Sequence, residues 1–178
     1  FRMLPEAVWN MPPLGTFNLH ASLLPNYRGA APINWALIHG EKETGVTTFR
    51  LQHAIDTGDI LLQERIPISP DMTAGALHDI MMVIGAQTLV KTLNGLISNS
   101  IQAKPQEDAL LSAHAPKIFT KDCEINWQQP VVKVHNLIRG LAPFPGAITK
   151  EDGKIVKLFS TSILYENPKE PIGSFVTD

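Results

Sequence analysis

The feature that most restricts the fold is a long apolar periodicity that follows two strand-like segments. Apolar residues recur at a spacing near 3.6 from Thr73 to Ile97, which predicts one long helix. Before it, GVTTFRLQ (45–52) and ILLQERIPI (60–68) are rich in β-branched residues and predict two strands joined by a turn-rich stretch. A helix of this length next to two strands indicates a sheet with a helix covering one face.

Shorter patterns of the same kind precede this group. LPEAVWNM (4–11) predicts a short helix with Pro5 near its first turn, and PINWALIHG (32–40) predicts a helix that ends at Gly40. GTFNLH (15–20) predicts a strand between them. Strands that alternate with helices favour an α/β domain over residues 1–98.

The remainder of the chain differs in character. Residues 99–118 are polar, weakly periodic and interrupted by proline, and we interpret them as a linker. In residues 119–178, PVVKVHNLIRGL (130–141) predicts a helix, whereas AITK, KIVKLFSTSIL and GSFVTD predict strands. The chain opens without Met and closes on an apolar run, so we expect a fragment of a longer polypeptide that includes the start of a second, β-rich domain.

Composition excludes several classes of protein. With 44% hydrophobic and 18% charged residues the chain can fill a core, and a net charge of -2 gives no general attraction to nucleic acid. Cys123 is the single cysteine, which excludes an internal disulfide and fits a reducing compartment. No run approaches about 18 uninterrupted apolar residues, so we expect no membrane span.

Two polar residues, Asn18 and His20, lie two positions apart on the strand predicted over residues 15–20. Residues two apart on a strand point to the same face, so an amide and an imidazole would lie side by side. An amide N–H can stabilise a developing negative charge on oxygen, and an imidazole can accept or pass a proton near neutral pH. Spacing alone equally allows a pair of satisfied polar groups at a strand end.

A carboxylate partner for the imidazole is available in AIDTGD (54–59). Asp56 or Asp59 could reach back to His20, fix its tautomer and favour its protonated form. The same residues also suit an ordinary turn between two strands. Spacing does not distinguish the two aspartates.

Other chemistries have less support in the sequence. Ser22 lies close to His20, but no Gly-x-Ser-x-Gly elbow surrounds it. The other histidines lack His-x-x-x-His spacing, so no metal site is expected, and no Gly-rich phosphate loop is present.

These residues resemble a known family. NLHASLLPNYRG (18–29) resembles the signature Asn-x-His-x-Ser-Leu-Leu-Pro of the folate-dependent formyltransferases, and IDTGDI resembles the segment that carries their catalytic aspartate. The resemblance selects Asp56 over Asp59 and implies that Asn18, His20 and Asp56 are catalytic.

The resemblance also implies a folate site that needs no metal. FRML at the start, with Arg2 and Leu4, resembles a segment whose backbone contacts the pterin in related purine transformylases. Ser22, Leu23, Leu24 and Pro25 correspond to a turn that contacts folate. The implied co-substrate is 10-formyltetrahydrofolate.

Two further stretches, 27–47 and 117–147, resemble the branch of the family that formylates methionyl initiator tRNA. The fold implied is the second half of a Rossmann-like formyltransferase domain, a linker and the start of an OB-like barrel, in a cytoplasmic protein that is monomeric at full length. Rival readings are a formyltransferase for nucleotide amino sugars, a deformylase, and a non-catalytic folate-binding or tRNA-binding module.

Overall fold

The computed structural model describes residues 4–107, 113–164 and 171–174. In the range predicted as the α/β domain (residues 1–98, called here the first unit), the described elements are, in chain order, α1 (Glu6–Trp9), β1 (Phe17–His20), β2 (Arg28–Gly29), α2 (Pro32–His39), β3 (Glu43–Arg50), β4 (Ile60–Pro67) and α3 (Ala74–Ile97). In the ranges predicted as the linker (99–118) and the second, β-rich domain (119–178, called here the second unit), they are β5 (His114–Ala115), a 3-10 helix (Thr120–Cys123), α4 (Val131–Leu141), β6 (Ala147–Glu151) and β7 (Lys154–Leu158).

The sequence pattern located most of these elements. The long helix is confirmed, and the Thr73 side chain caps it by accepting a hydrogen bond from the Ala76 N–H at 3.2 Å. The predicted helix over 4–11 is shorter than expected, and the strand predicted from residue 154 ends at Leu158. GSFVTD lies partly outside the described residues. The described elements form a mixed α/β architecture.

The first unit is built on a three-stranded antiparallel sheet in the order β1-β3-β4. α3 packs across β3 and β4, and it approaches closely because Thr48 and Thr92 share a buried hydrogen bond of 2.8 Å between their hydroxyls. The core between helix and sheet consists of Leu37, Val46, Ile66, Ile68, Ala74, Leu77 and Met81. This packing fixes β1, the strand that carries the candidate polar pair.

By length and composition, α3 is apolar enough to cross a membrane, although no uninterrupted apolar run marks it. Only 28% of its most apolar window is buried, and Val83, Val90 and Ile97 are exposed. Core helices of folded domains share this composition, and the opposite face of α3 packs on the sheet. Among the described residues, α3 alone meets these criteria.

In the second unit, α4 follows the 3-10 helix and packs against α2 of the first unit. Its core joins Cys123, Ile138, Leu141 and Ala147. β6 and β7 form an antiparallel hairpin from the pair Ala147–Leu158 to the pair Glu151–Lys154. The expected barrel extends beyond this hairpin and remains a prediction.

The linker follows the surface of the first unit instead of running free. Ile60 and Lys104 exchange two backbone hydrogen bonds, of 2.7 and 2.9 Å. Further along, β5 pairs in parallel with β2, and the Trp35 indole N–H donates to the Pro116 carbonyl at 2.8 Å. The described parts of the linker therefore pack along the edges of the first unit and pair with its strands.

The two units are joined by a buried guanidinium. Arg139 on α4 donates from Nη1 to the carbonyls of Ser69 (3.4 Å) and Met72 (3.2 Å), and from Nε to the Asn136 amide oxygen (2.8 Å). Burial lowers the pKa of Arg139, but a guanidinium still keeps its proton near neutral pH.

Arg139→Met should therefore lower the free energy of unfolding by about 1–3 kcal/mol, because the partly buried carbonyls of Ser69 and Met72 lose a charged donor while the packed volume stays similar. Denaturant unfolding measures the change. Lys133→Met on the exposed side of the same helix is the matched control and should leave stability nearly unchanged. Equal stability of the two variants would contradict a role for Arg139 in joining the units.

Candidate active site

The polar pair lies on β1, where the register against β3 places Asn18 opposite Phe49 and His20 opposite Thr47. Although the strand alternation gives both side chains one face, their exposure differs. His20 is buried and Asn18 is exposed. The Asn18 amide oxygen accepts the Leu19 N–H at 2.9 Å, and its NH₂ group makes no hydrogen bond to any residue that the structure describes. The amide donor is therefore available to a ligand.

The His20 ring has a hydrogen-bond partner at one nitrogen and a nearby carboxylate at the other. Nε2 lies 2.8 Å from the Tyr27 carbonyl oxygen. Because a carbonyl only accepts, Nε2 carries the proton, and the neutral ring has its lone pair on Nδ1. Nδ1 lies 3.8 Å from Oδ2 of Asp56, and the edge of the imidazole meets Phe49 at 85°. A proton taken up at Nδ1 would face a carboxylate.

Tyr27, which supplies the carbonyl, is itself tightly held. Its φ of +61° is in the left-handed region, which costs a non-glycine residue of order 1–3 kcal/mol. Its N–H donates to the Ala113 carbonyl at 2.8 Å, and its hydroxyl donates to Glu41 at 2.7 Å. Burial, together with Glu41, raises the pKa of Tyr27, so the hydroxyl remains a donor. The position of the His20 ring thus depends on a strained residue whose N–H and hydroxyl are both hydrogen-bonded.

Asp56 also adopts the left-handed region, with a φ of +54°. Its Oδ2 accepts the Gly29 N–H at 3.0 Å, which holds the carboxylate beside His20. Asp59 has another role: its carbonyl accepts the Arg50 N–H at 2.9 Å, where the chain enters β4. The structure therefore brings Asp56 to the imidazole, and within the described residues Asp59 makes no contact with His20.

Two glycines allow this approach. Gly29 has a φ of +127°, and a Cβ there would overlap the Ala115 carbonyl oxygen. A Cβ on Gly58 would overlap the Arg50 carbonyl oxygen, so the Asp56 loop can lie flat against β3 only with glycine at that position. Both glycines are needed for close backbone contact around the carboxylate.

The turn after β1 is held from inside. The Ser22 hydroxyl donates to the Asn26 carbonyl at 2.6 Å, and the Ser22 carbonyl accepts from the Thr47 hydroxyl at 2.6 Å. The Gln63 amide donates to the Leu24 carbonyl at 2.9 Å and to the Thr47 hydroxyl at 3.0 Å. Side chains of β3 and β4 therefore fix the backbone of the turn.

The residues expected to contact folate are not equally accessible. Ser22, Leu24 and Pro25 are buried, and Leu23 is half-buried. Leu4 is 48% exposed on the approach to α1, and Arg2 lies outside the described residues. Direct contact through side chains is thus open to Leu4 and Leu23, whereas the buried three shape the turn.

Sequence reasoning missed the backbone groups of the site. The Tyr27 carbonyl and the Gly29 N–H bind the two titratable side chains, and Thr47 and Gln63 brace the turn. The nearest signal in the sequence was glycine in Tyr-Arg-Gly and in Asp-Thr-Gly-Asp, which marks unusual backbone.

An amide donor, an imidazole and a carboxylate thus lie beside a braced turn, an arrangement that is able to stabilise an oxyanion and to move a proton. The family model described as formyl transferase matches residues 1–93, and the one described as formyl transferase, C-terminal domain, matches residues 117–178. This chain belongs to the formyl transferase family.

Individual relatives are more specific. The chain is 48% identical to the methionyl-tRNA formyltransferase of Bacteroides thetaiotaomicron over its whole length, and it spans 58% of that protein. An N-formyltransferase from Helicobacter canadensis, solved with folinic acid and dTDP-3-aminofucose, is 29% identical with a TM-score of 0.64, covering 70% of this chain and 46% of that one. HypX from Aquifex aeolicus, solved with tetrahydrofolic acid, matches 96% of this chain and 30% of its own at a TM-score of 0.77; its 22% identity supports the fold alone.

Proposed function

We propose that this chain is part of an enzyme that transfers a formyl group from 10-formyltetrahydrofolate to the α-amino group of methionyl initiator tRNA. The observation that carries the proposal is the His20 imidazole, which lies between the Tyr27 carbonyl and the Asp56 carboxylate. On the same strand is the NH₂ of Asn18, which has no hydrogen-bond partner among the described residues. The similarity of this whole chain to 58% of a methionyl-tRNA formyltransferase supports this choice of acceptor.

The first task of such a site is to stabilise negative charge on the formyl oxygen. An α-amino group has a pKa of about 7.7–8.0, so the free amine that attacks the formyl carbon is already abundant at neutral pH. As the C–N bond forms, the formyl oxygen becomes an oxyanion. We assign the Asn18 NH₂ as its donor, because this group is exposed and lies on the His20 face of β1.

The second task is to move one proton. When the oxyanion collapses to the new amide, the bond between the formyl carbon and N10 breaks and its electron pair goes to N10. The attacking amine must therefore lose a proton, and N10 of the departing tetrahydrofolate must gain one. His20 can accept the first proton at Nδ1 and deliver it to N10, since Nε2 stays bound to the Tyr27 carbonyl throughout. The Asp56 carboxylate, 3.8 Å from Nδ1, stabilises the transient imidazolium.

The proposal also covers the fold and the folate site. Residues 1–98 would be the second half of a Rossmann-like catalytic domain, 99–118 the linker and 119–178 the start of an OB-like tRNA-binding domain in a cytoplasmic, monomeric enzyme. The β6–β7 hairpin supports the assignment of residues 119–178 to the start of a β-rich domain. Leu4 and Leu23 would touch folate directly, Arg2 would contribute from the preceding segment, and Ser22, Leu24 and Pro25 would hold the turn.

An open groove beside the site offers a path for the acceptor. Its lining includes Ala30 and Ala31, which directly follow Gly29 in the sequence, and the two lysines Lys117 and Lys157. Phe144 contributes an exposed aromatic ring to its wall. Lysines suit a phosphate backbone, and an aromatic ring suits a nucleobase.

Asn18→Ala should lower kcat for formyl transfer by about 10²–10³-fold, the usual cost of removing one oxyanion donor. Because Asn18 is exposed, the unfolding temperature should barely change. Rates are measured in the full-length protein with 10-formyltetrahydrofolate and methionyl initiator tRNA. Asn94→Ala, an exposed asparagine on α3, is the matched control. Wild-type turnover in Asn18→Ala would remove this residue from the mechanism.

The same assay distinguishes the acceptors. A nucleotide amino sugar in place of the charged tRNA should give no formylated product, and omission of both acceptors should give little free formate. Formylation of the sugar alone would replace the proposed acceptor with that of the Helicobacter canadensis relative, and rapid release of formate would indicate a deformylase.

A further inference from the structure

We infer that Gln106, in the linker, is the residue that positions Asp56 for its work on His20. The inference rests on the proposed function, because it assigns Gln106 a role only through the Asp56 carboxylate. Gln106 is half-buried and lies far from Asp56 in sequence. None of the motifs that mark the active site includes it.

The amide nitrogen of Gln106 holds the backbone of the Asp56 loop. Nε2 donates to the carbonyl of Asp56 at 2.9 Å and to the carbonyl of Gly58 at 2.8 Å. A primary amide has two N–H groups, so both donors are used on carbonyls two residues apart. This contact spans the turn in which Asp56 takes its left-handed conformation.

The amide oxygen of Gln106 connects the loop to β2. Oε1 accepts from Arg28 Nε at 3.0 Å and from Arg28 Nη2 at 2.7 Å. The next residue, Gly29, donates its N–H to Oδ2 of Asp56. The backbone of Asp56 and its carboxylate are thus held by adjacent residues of one strand, through Gln106 in the first case and directly in the second.

Gln106 is fixed strongly enough to act in this way. Two residues earlier, Lys104 exchanges both backbone hydrogen bonds with Ile60 at the start of β4. The Asp56 loop, by contrast, exposes His53, Ala54 and Ile55. Within this loop, the Thr57 hydroxyl donates a hydrogen bond to the nearby Ala54 carbonyl. The fixed linker therefore supplies the rigidity that the loop lacks.

Loss of the hydrogen bonds made by Gln106 should lower kcat and leave substrate binding unchanged. A left-handed aspartate relaxes readily when its neighbours release it, and a displacement of about 1 Å can cost about 10²-fold in rate. Gln106→Met keeps the side-chain length and removes all four hydrogen bonds. In the full-length protein we expect kcat to fall about 10–100-fold, with the KM for each substrate within about threefold of wild type.

A double-mutant cycle tests whether the effect passes through Asp56. Asp56→Asn keeps an oxygen that accepts the Gly29 N–H but removes the charge. In that background, Gln106→Met should cost less than about threefold, because the carboxylate it positions is already gone. Gln106→Glu keeps the acceptor for Arg28, loses the donors to the loop, and should resemble Gln106→Met; it also serves if the Met variant folds poorly. Gln102→Met, an exposed glutamine of the same linker, should match wild type.

The outcomes separate the two levels of the argument. If Asp56→Asn lowers formyl transfer but both Gln106 variants retain wild-type kcat, or lose the same factor in both backgrounds, the positioning role is wrong and the proposed function stands. If Asp56→Asn itself turns over like wild type, the assignment of Asp56 under the proposed function fails, and the role of Gln106 fails with it.

Discussion

Replacing His20 with glutamine should lower kcat for formyl transfer by about 10²–10⁴-fold while the protein keeps nearly its wild-type unfolding temperature. The amide of glutamine can still donate to the Tyr27 carbonyl, as Nε2 of His20 does at 2.8 Å. It cannot accept a proton from the amine and return it to the leaving group. The variant therefore removes proton transfer and retains the structural hydrogen bond.

Rates under saturating folate donor and charged initiator tRNA, together with thermal unfolding, measure both effects. His20→Ala should lose a similar activity and in addition about 1–3 kcal/mol of stability, since the Tyr27 carbonyl would lose its buried donor. His78→Gln, on the exposed face of α3, is the matched control. More than a tenth of wild-type turnover in His20→Gln would mean that another group carries the proton.

Gly29→Ala should be among the most damaging single changes outside the three catalytic candidates. Its φ of +127° disfavours any L side chain, and the added methyl would overlap the Ala115 carbonyl where β2 and β5 pair. The expected loss of unfolding free energy is about 2–4 kcal/mol. Because the Gly29 N–H also holds Asp56, kcat should fall at least about tenfold.

Gly153→Ala separates the cost of conformation from that of the clash. Gly153, in the turn between β6 and β7, has a φ of +77° with open space around its missing side chain. Its substitution should cost about 1–2 kcal/mol and leave kcat unchanged. Denaturant unfolding and initial rates of the two variants provide the comparison. Equal losses in both would show that the contact with Ala115 is not what makes Gly29 necessary.

The sequence was informative wherever local chemistry determines structure. The period of apolar residues located α3 within one residue, and the alternation in FNLH predicted that Asn18 and His20 share a face of β1. Alternation could not predict that Asn18 would be exposed and His20 buried, because the difference comes from the turn and the Asp56 loop closing over one end of the strand. Spacing also left Asp56 and Asp59 open, and it was the resemblance of IDTGDI to a known segment that selected Asp56.

The sequence was least informative about contacts between distant segments. A polar, proline-interrupted stretch predicts a linker, and nothing local in it shows that Lys104 pairs with Ile60 or that Gln106 binds the Asp56 loop. Backbone groups such as the Tyr27 carbonyl have no signature of their own, since every residue carries one. The sequence thus predicted the candidate amide, imidazole and carboxylate, but neither the backbone groups nor the supporting side chains of Thr47, Gln63 and Gln106 that hold them.

The pairing of the linker with β2 and β4 has a consequence for recombination between relatives. A chimera joined at residue 99, where composition changes, would combine the relative's residue at position 106 and its counterpart of β5 with the first unit of this chain. A junction after Pro116 keeps these contacts native while still exchanging the 3-10 helix, α4 and the hairpin. The first unit therefore depends on contacts that extend to Pro116, although the change in composition would place its boundary at residue 99.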